Sequence, residues 1–339
     1  MRARRVVWPE RGRVELEEFE VGSPSEGEVL VENEFTLISP GTERAFLLAL
    51  PNTPGKFPQR PGYCAVGRVL EAGPGVEGLR AGTRVVSRSP HASHAIRPAW
   101  DVIPVPENVS PEEAVFSQLL AISMHGVRAA GVELGDPVLV LGLGLVGQLA
   151  LRLARLCGAV PLVGADPKPK RREAALRGGA DAALDPLAGE FEAELREVCG
   201  GLPRVVIEAT GLPEPVVTAF RACAPGGRVV LLGSTRGTVR EVNFYELVHR
   251  KGLAVIGAHA SVRPERDPCP GTKPHRFDVE ASLRLLSMGR LSVRDLITHI
   301  FEAERAPEAY RLLTGDEEGR ALGILLDWRG RHSRARRAR

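Results

Sequence analysis

The sequence predicts an α/β fold, with a β-rich first third followed by a doubly wound parallel sheet. Three observations carry this. Up to about residue 105, short apolar stretches alternate with Gly/Pro turns. From Pro137 onward, continuous apolar runs of strand length alternate with stretches of helix length. At the first of those strand–helix junctions stands Gly142-Leu143-Gly144-Leu145-Val146-Gly147.

In the β-rich part, Val29-Leu30-Val31, Val66-Gly67-Arg68-Val69-Leu70 and Thr83-Arg84-Val85-Val86 read as strands. Arg60-Pro61-Gly62 and Gly73-Pro74-Gly75 read as turns. Ser110-Pro111-Glu112-Glu113 opens a helix, with a hydroxyl cap, proline at the first helical position and a capping-box glutamate. One helix is expected from there into Met124-His125-Gly126. Val138 to Leu141 is apolar at every position, as a strand buried on both faces should be. Helix Leu145 to Leu156, strand Pro161 to Ala165 and helix Lys170 to Arg177 follow. Then come strand Val205 to Ile207, helix Val216 to Cys223, and strands Arg228 to Leu232 and Leu253 to Ile256. The last part adds helix Val279 to Met288, strand Ile297 to Phe301, helix Ala306 to Leu313 and strand Leu322 to Leu326. No internal repeat is visible.

The chain has 339 residues, 43% hydrophobic and 26% charged, which supports an ordinary core and excludes a disordered chain. No apolar run approaches a membrane span, and the basic N-terminus lacks the apolar core of a signal peptide. A cytoplasmic protein with no membrane partner is expected. Cys64, Cys157, Cys199, Cys223 and Cys269 are scattered, without a Cys-x-x-Cys pair, so neither a disulfide framework nor a zinc knuckle is indicated. The net charge of +3 comes from the arginines of residues 329–339; the rest of the chain is net acidic. That segment reads as a basic disordered tail, and no motif assigns it a nucleic-acid partner.

The glycine turn follows a strand and opens a helix, the context a dinucleotide-binding Rossmann motif requires. Gly142 permits the tight turn, Gly144 lets the backbone approach a pyrophosphate, and Gly147 lets helix and strand pack closely. Leu145 and Val146 begin the helix whose N-terminal amides favour an anion. Asp166 stands about twenty positions on, where a carboxylate accepts the adenosine ribose hydroxyls and repels a 2′-phosphate. NAD is therefore the expected cofactor. NADP stays possible, because Lys168, Lys170, Arg171 and Arg172 follow at once.

The whole arrangement, from about Val6 to Trp328, resembles the medium-chain dehydrogenase/reductase superfamily of zinc-type alcohol and polyol dehydrogenases. The resemblance rests on the glycine turn, on Val205-Val206-Ile207-Glu208-Ala209-Thr210-Gly211, and on Gly226 to Gly233. It rests also on Pro61-Gly62-Tyr63-Cys64-Ala65-Val66-Gly67-Arg68-Val69 with Gly73-Pro74-Gly75-Val76. It implies a GroES-like catalytic domain in two segments, 1–124 and 263–328, with a Rossmann domain inserted at 125–262 and the tail at 329–339. It implies an active site in the cleft. Thr210, Gly233, His259 and Arg171 join the expected cofactor contacts. A homodimer or homotetramer paired through the last Rossmann strand is implied as well. Ser39-Pro40-Gly41-Thr42-Glu43 with Pro61-Gly62-Tyr63 is similar to the branch containing the bacteriochlorophyllide hydroxyethyl dehydrogenases.

The family's zinc ligands do not carry over. Pro40 stands where the family has a cysteine, Tyr63 where it has a histidine, and the third ligand falls near Gln118. Proline has no donor, and tyrosine and glutamine replace poorly the thiolate and imidazole that zinc prefers. The structural zinc lobe is missing too. No zinc is expected.

Without zinc a hydrogen-bonding acid/base must hold the reacting oxygen. Tyr63 and Thr42 are the candidates, with Glu43 behind them. Cys64, His91, His94, Gln118 and Arg263 are further candidates for substrate contact. The basic residues Arg44, Lys56, Arg60, Arg88, Arg263, Arg266, Lys273, His275 and Arg276 suggest either a field for an anionic substrate or a solvated surface.

The expected function is NAD(P)-dependent interconversion of a secondary alcohol and a ketone, on a small polyol, sugar or cyclitol. A zinc-free quinone or enoyl reductase and a catalytically silent dinucleotide-binding protein are the alternatives.

Overall fold

The computed structural model describes residues 1–265, 273–316 and 319–330. They fall into two compact units. The first takes the described residues of Met1–Leu119, Pro264–Asp316 and Ala321–Arg339; the second takes those of Leu120–Arg263 and Glu317–Arg320. The expected Cys269 and Arg266 lie outside the described residues, as does most of the basic tail.

The first unit opens with a hairpin of β1 (Arg2–Val7) and β2 (Glu15–Glu20). The long strand β3 (Glu28–Ile38) is buried at nearly every position, which makes it the centre of a larger sheet. Helix α1 (Pro40–Leu47) follows it after a single residue. Strands β4 (Ala65–Ala72), β5 (Arg84–Ser87), β6 (His94–Pro98) and β7 (Ile103–Pro104) complete the N-terminal part.

The expected single helix from Ser110 is two helices, α2 (Pro111–Ala114) and α3 (Ser117–Ala130). Phe116 donates its N–H to Glu113, a tightened turn. The break lets Ala114, Val115, Phe116 and Ser117 all be fully buried, which one face of a continuous helix does not allow.

The second unit is built on β8 (Val138–Leu141), α4 (Leu145–Leu156), β9 (Leu162–Ala165), α5 (Pro169–Arg177) and β10 (Ala182–Leu184), then α6 (Phe191–Cys199), β11 (Val205–Glu208), α7 (Glu214–Ala222), β12 (Arg228–Leu231) and β13 (Ala254–Gly257). The strands are parallel in the order β10-β9-β8-β11-β12-β13. The chain runs outward from β8 one way, then returns to build the other half from β11. The reversal lies at the ends of β8 and β11, the place beyond the strand C-termini where sheets of this kind offer a crevice. Leu139, Val163, Val206 and Val229 pack with Phe191 and Phe220 on one side of the sheet.

Back in the first unit, α8 (His275–Ser287), β14 (Ile297–Glu302), α9 (Ala306–Gly315) and β15 (Gly323–Asp327) close the fold. The sheet order among the described residues is β14-β15-β3-β4-β5-β7, with β6 paired to β3. Trp8, Ile38, Tyr310, Ile324, Leu326 and Trp328 form a core on it.

The tail differs from expectation at its start. Arg329 is not solvated: its Nη2 donates to Asp327 Oδ2 at 2.8 Å and its guanidinium lies 4.1 Å from the Phe35 ring centre.

Candidate dinucleotide and active sites

In the second unit the glycine turn joins β8 to α4. Gly142 has φ +92°, and a Cβ there would lie 2.7 Å from the Thr210 methyl. A Cβ on Gly147 would lie 1.8 Å from the Gly142 carbonyl oxygen. Gly144 is different: a Cβ there would meet nothing nearer than the Arg171 Nη1 at 4.0 Å. The space over Gly144 is open, at the N-terminus of a helix whose first N–H groups have no intrahelical acceptor. That opening fits a pyrophosphate. Ser123 Oγ donates to the Val146 carbonyl at 3.1 Å and ties α3 to the turn.

Asp166 is only 3% exposed. Its Oδ2 accepts the Leu143 N–H and its Oδ1 the Lys168 N–H, both at 2.9 Å. The carboxylate thus braces the glycine turn. Arg171 Nη1 is 3.5 Å from the same Oδ2, so a cation stands beside the acid. Gly233 approaches the next turn closely: a Cβ there would lie 2.5 Å from the Gly211 nitrogen. His259 Nδ1 accepts from Ser261, through the N–H at 3.2 Å and the hydroxyl at 2.7 Å, which leaves the ring proton on Nε2. Arg263 donates to the Ala121 carbonyl at 3.1 Å and is 7% exposed, so it is a structural strut of this unit rather than an open substrate contact.

Glu208 was given no role from the sequence. Glu208 ends β11 and is fully buried; its Oε1 accepts both the N–H of Thr210, at 2.7 Å, and the Thr210 hydroxyl. Burial pushes its carboxyl up to about 7, against the pull of the Thr210 and Gly211 hydrogen bonds. The signal was present, an acid directly after Val205-Val206-Ile207. His125 has a buried Nε2 without a partner, and burial first, then Arg263 and His259, lowers its pKa.

In the first unit a polar network is buried between β3, α1 and α9. Glu43 is 3% exposed. Its Oε1 accepts the Ser39 N–H at 2.8 Å; its Oε2 faces His91 Nε2 at 2.9 Å and accepts the Tyr310 hydroxyl. Thr36 accepts the Trp328 indole N–H at 2.9 Å and lies 2.7 Å from His91 Nδ1. The neutral arrangement that satisfies every group has the Thr36 hydroxyl donating to Nδ1 and the Nε2–H donating to Glu43. Gly62 makes this possible, because a Cβ there would lie 2.4 Å from the His91 nitrogen.

Tyr63 adjoins the network through Ser39: its hydroxyl donates to Ser39 Oγ at 2.6 Å. Burial raises the Tyr63 pKa first, with Cys64 and Glu43 adding to it and the Ser39 and Thr42 hydroxyls opposing. The phenol therefore stays protonated at neutral pH. Thr42, on α1, is half-buried.

Two candidates are not gathered here. Cys64 is fully buried and its thiol pKa is raised by that burial, so it packs and does not face a substrate. His94 lies on β6, 3.0 Å from Ser93 Oγ and 4.0 Å from Glu32, not in the turn that carries His91. Tyr310, Thr36 and Trp328 were not foreseen, and nothing local in their sequence marks them; Ser39 stands in the motif that ends at Glu43 but was given no role.

Gln118 is 2% exposed, with Oε1 2.6 Å from His275 Nε2. Both line a recess of the first unit with Arg88, Trp100, Asp101 and Arg276. Three cations of the suggested positive field are paired with carboxylates. Arg88 Nε holds Asp101 at 2.5 Å, Arg276 holds Glu280 at 2.8 Å, and Arg60 lies 3.3 Å from Glu17.

The donor set does not fit zinc. Pro40 offers no ligand atom, the Tyr63 hydroxyl is given to Ser39, and Gln118 Oε1 is taken by His275. Among the described residues no three His, Cys, Asp or Glu side chains gather as a metal would need.

Residues 146–267 match the family model described as zinc-binding dehydrogenase. The chain is 30% identical over 260 residues to a D-guloside 3-dehydrogenase of Escherichia coli, covering 76% of this chain and 73% of the relative. The chain belongs to the zinc-binding dehydrogenase family. An L-threonine 3-dehydrogenase of Pyrococcus furiosus is 29% identical over 352 residues, covering 94% and 96% of the two chains. A crystal structure of a zinc-binding dehydrogenase from Sinorhizobium meliloti bound to NADP shares the fold, with TM-score 0.83 at 23% identity over 96% of this chain and 99% of that one. Within this family the medium-chain architecture is that of the two units described. No helix among the described residues is long and apolar enough to cross a membrane.

Proposed function

We propose that this zinc-binding dehydrogenase family member is a zinc-independent oxidoreductase that interconverts a secondary alcohol and a ketone with NAD. The observation that carries the zinc-free chemistry is the Tyr63–Ser39 hydrogen bond at the position of a lost ligand. NAD, when bound, would accept the hydride from the carbinol carbon. Gly144 and the first turn of α4 would hold its pyrophosphate, and Asp166 its ribose. Asp166 favours NAD; Arg171 beside it leaves NADP a weaker ligand.

Tyr63 acts on the other atom of the reaction. In ketone reduction the protonated Tyr63 phenol would turn its proton from Ser39 to the ketone oxygen, leaving a phenolate that the Ser39 hydroxyl can donate to and that water reprotonates; alcohol oxidation is the reverse, the phenolate taking the alcohol proton. Thr42 supports that oxygen, and Glu43 fixes α1 from below through the Ser39 N–H. The pairing of Arg60, Arg88 and Arg276 with carboxylates favours a neutral polyol, sugar or cyclitol over a phosphorylated one. The named substrates of the guloside and threonine relatives set the first panel to try.

Tyr63→Phe is expected to lower kcat by roughly a hundredfold or more, the usual contribution of an acid/base group. NAD affinity should not change. The check is turnover with a panel of glycosides, polyols and L-threonine, followed by the absorbance of the reduced nicotinamide. Near-normal turnover in the variant would remove Tyr63 from the mechanism. NAD binding by the wild type without turnover on any alcohol, ketone or enone would favour a silent binding protein.

We also propose a homodimer, or a tetramer built from it, joined along β13. That strand is the edge of its sheet, and Val255 is 40% exposed on it. An open apolar edge invites pairing with another strand. Val255→Lys should shift the protein towards monomer in light scattering after size exclusion; an unchanged mass would exclude this edge.

A further inference from the structure

We propose that Glu208 couples dinucleotide binding at the glycine turn to uptake of a proton, so that the cofactor is held more tightly below neutral pH than above it. This rests on the dinucleotide reading of the second unit. Glu208 stands at the C-terminal end of β11, where the strand order reverses beside β8. Its side chain is fully buried, and Oε2 has no hydrogen-bond partner. Oε1 accepts from Thr210 twice, and the Thr210 hydroxyl in turn accepts the Leu212 N–H at 3.0 Å. Thr210 is the wall against which Gly142 turns, since a Cβ at Gly142 would touch its methyl and its backbone. The carboxyl is therefore one residue's width from the turn that receives the pyrophosphate.

The surroundings supply no charge to stabilise an ionised carboxylate. Opposite Glu208 in register are Leu141 on β8 and Leu231 on β12. Gly142, Gly147 and Gly233 fill the ends of those elements. The charged and titratable groups of the neighbouring elements include Arg152 and Arg155 on α4, Asp166 after β9, Arg171 on α5, Glu214 and Arg221 on α7, Arg228 on β12 and His259 after β13. None of them is among the influences on Glu208, which are burial and the bonds from Thr210 and Gly211.

Near neutrality the carboxyl is thus divided between its two forms. A dinucleotide brings the negative charges of its pyrophosphate to the helix N-terminus beside it. Like charge disfavours the ionised form, so binding shifts Glu208 towards the acid and takes up a proton. By reciprocity a proton already present strengthens binding. The sign is fixed: affinity falls as pH rises through the neutral range.

The test is calorimetric titration with NAD of the wild type and Glu208→Gln across pH 6 to 8.5. The wild type should bind roughly fivefold more weakly at the upper end, within the usual range of such couplings. Glu208→Gln should bind with nearly pH-independent affinity, close to the wild-type value at pH 6. The wild type titrated at pH 7 in two buffers of different ionisation enthalpy should show net proton uptake, a reading that needs no variant. Equal pH dependence in wild type and variant, or no proton uptake, would overturn the proposal. Absence of NAD binding at every pH would overturn the dinucleotide reading beneath it.

Discussion

Glu43→Ala is expected to destabilise the first unit by about 4 kcal/mol, the cost of breaking a buried charged network. The carboxylate is nearly inaccessible to water and receives three donors, the Ser39 N–H, His91 Nε2–H and the Tyr310 hydroxyl. Alanine leaves all three without an acceptor, and each buried orphan costs about 1–3 kcal/mol. Tyr310 cannot escape by ionising, because burial and Glu43 both raise its pKa well above the usual phenol value. Nor can His91 turn its ring, since Thr36 holds Nδ1 and the Gly62 backbone packs against it. Glu43→Gln keeps one oxygen acceptor but aims an amide N–H at a donor, and should cost about half as much. Denaturant unfolding followed by far-ultraviolet circular dichroism measures both. A loss below about 1 kcal/mol for the alanine variant would show that the network is not what holds α1 against α9.

The parts of this molecule that were legible in the sequence are those written in contiguous residues. Val138 to Leu141 announces a strand because it is apolar at every position, and the turn after it has its glycines at fixed spacing. Asp166 was found because the second strand of such a unit has a nearly constant distance from the first. The polar network was not legible for the opposite reason. Glu43, His91 and Tyr310 meet across 267 residues of chain, on a helix, a loop and another helix, and no period links them. Only Glu43 and His91 were candidates, one through a motif and one through its residue type. The break between α2 and α3 was missed because a capping box marks where a helix begins and says nothing of a buried turn further on. Strand β10, with three half-buried residues, and α6, with only Phe191 and Leu195 buried, carry too little apolar pattern to stand out. Arg329 was misread because composition ignores partners: Asp327 two residues earlier neutralises it and Phe35 covers it.

Gly147→Ala should abolish measurable dinucleotide binding, weakening it by roughly a hundredfold or more, and also lower the stability of the second unit. The added methyl would stand 1.8 Å from the Gly142 carbonyl oxygen and 2.9 Å from its carbon. That backbone has nowhere to go. Gly142 donates to the Ala165 carbonyl at 2.8 Å on one side, and Thr210 lies within 3 Å of any Cβ it might carry on the other. Relief must therefore come from moving α4 away from β8, which removes the helix N-terminus from the turn and opens the core beneath Leu149 and Leu153. Overpacking of this kind costs about 1–3 kcal/mol. Gly144→Ala makes the contrast that separates structure from function. Its methyl would meet only the far end of Arg171 at 4.0 Å, so the fold should melt as the wild type does. Binding should still weaken, by about tenfold, because the methyl occupies the space through which a pyrophosphate approaches the backbone. Thermal melts and calorimetric titration with NAD distinguish the two variants. If Gly144→Ala binds NAD as tightly as the wild type, the open side of this turn is not where the cofactor lies, and the agreement between the glycine spacing and Asp166 would need another cause.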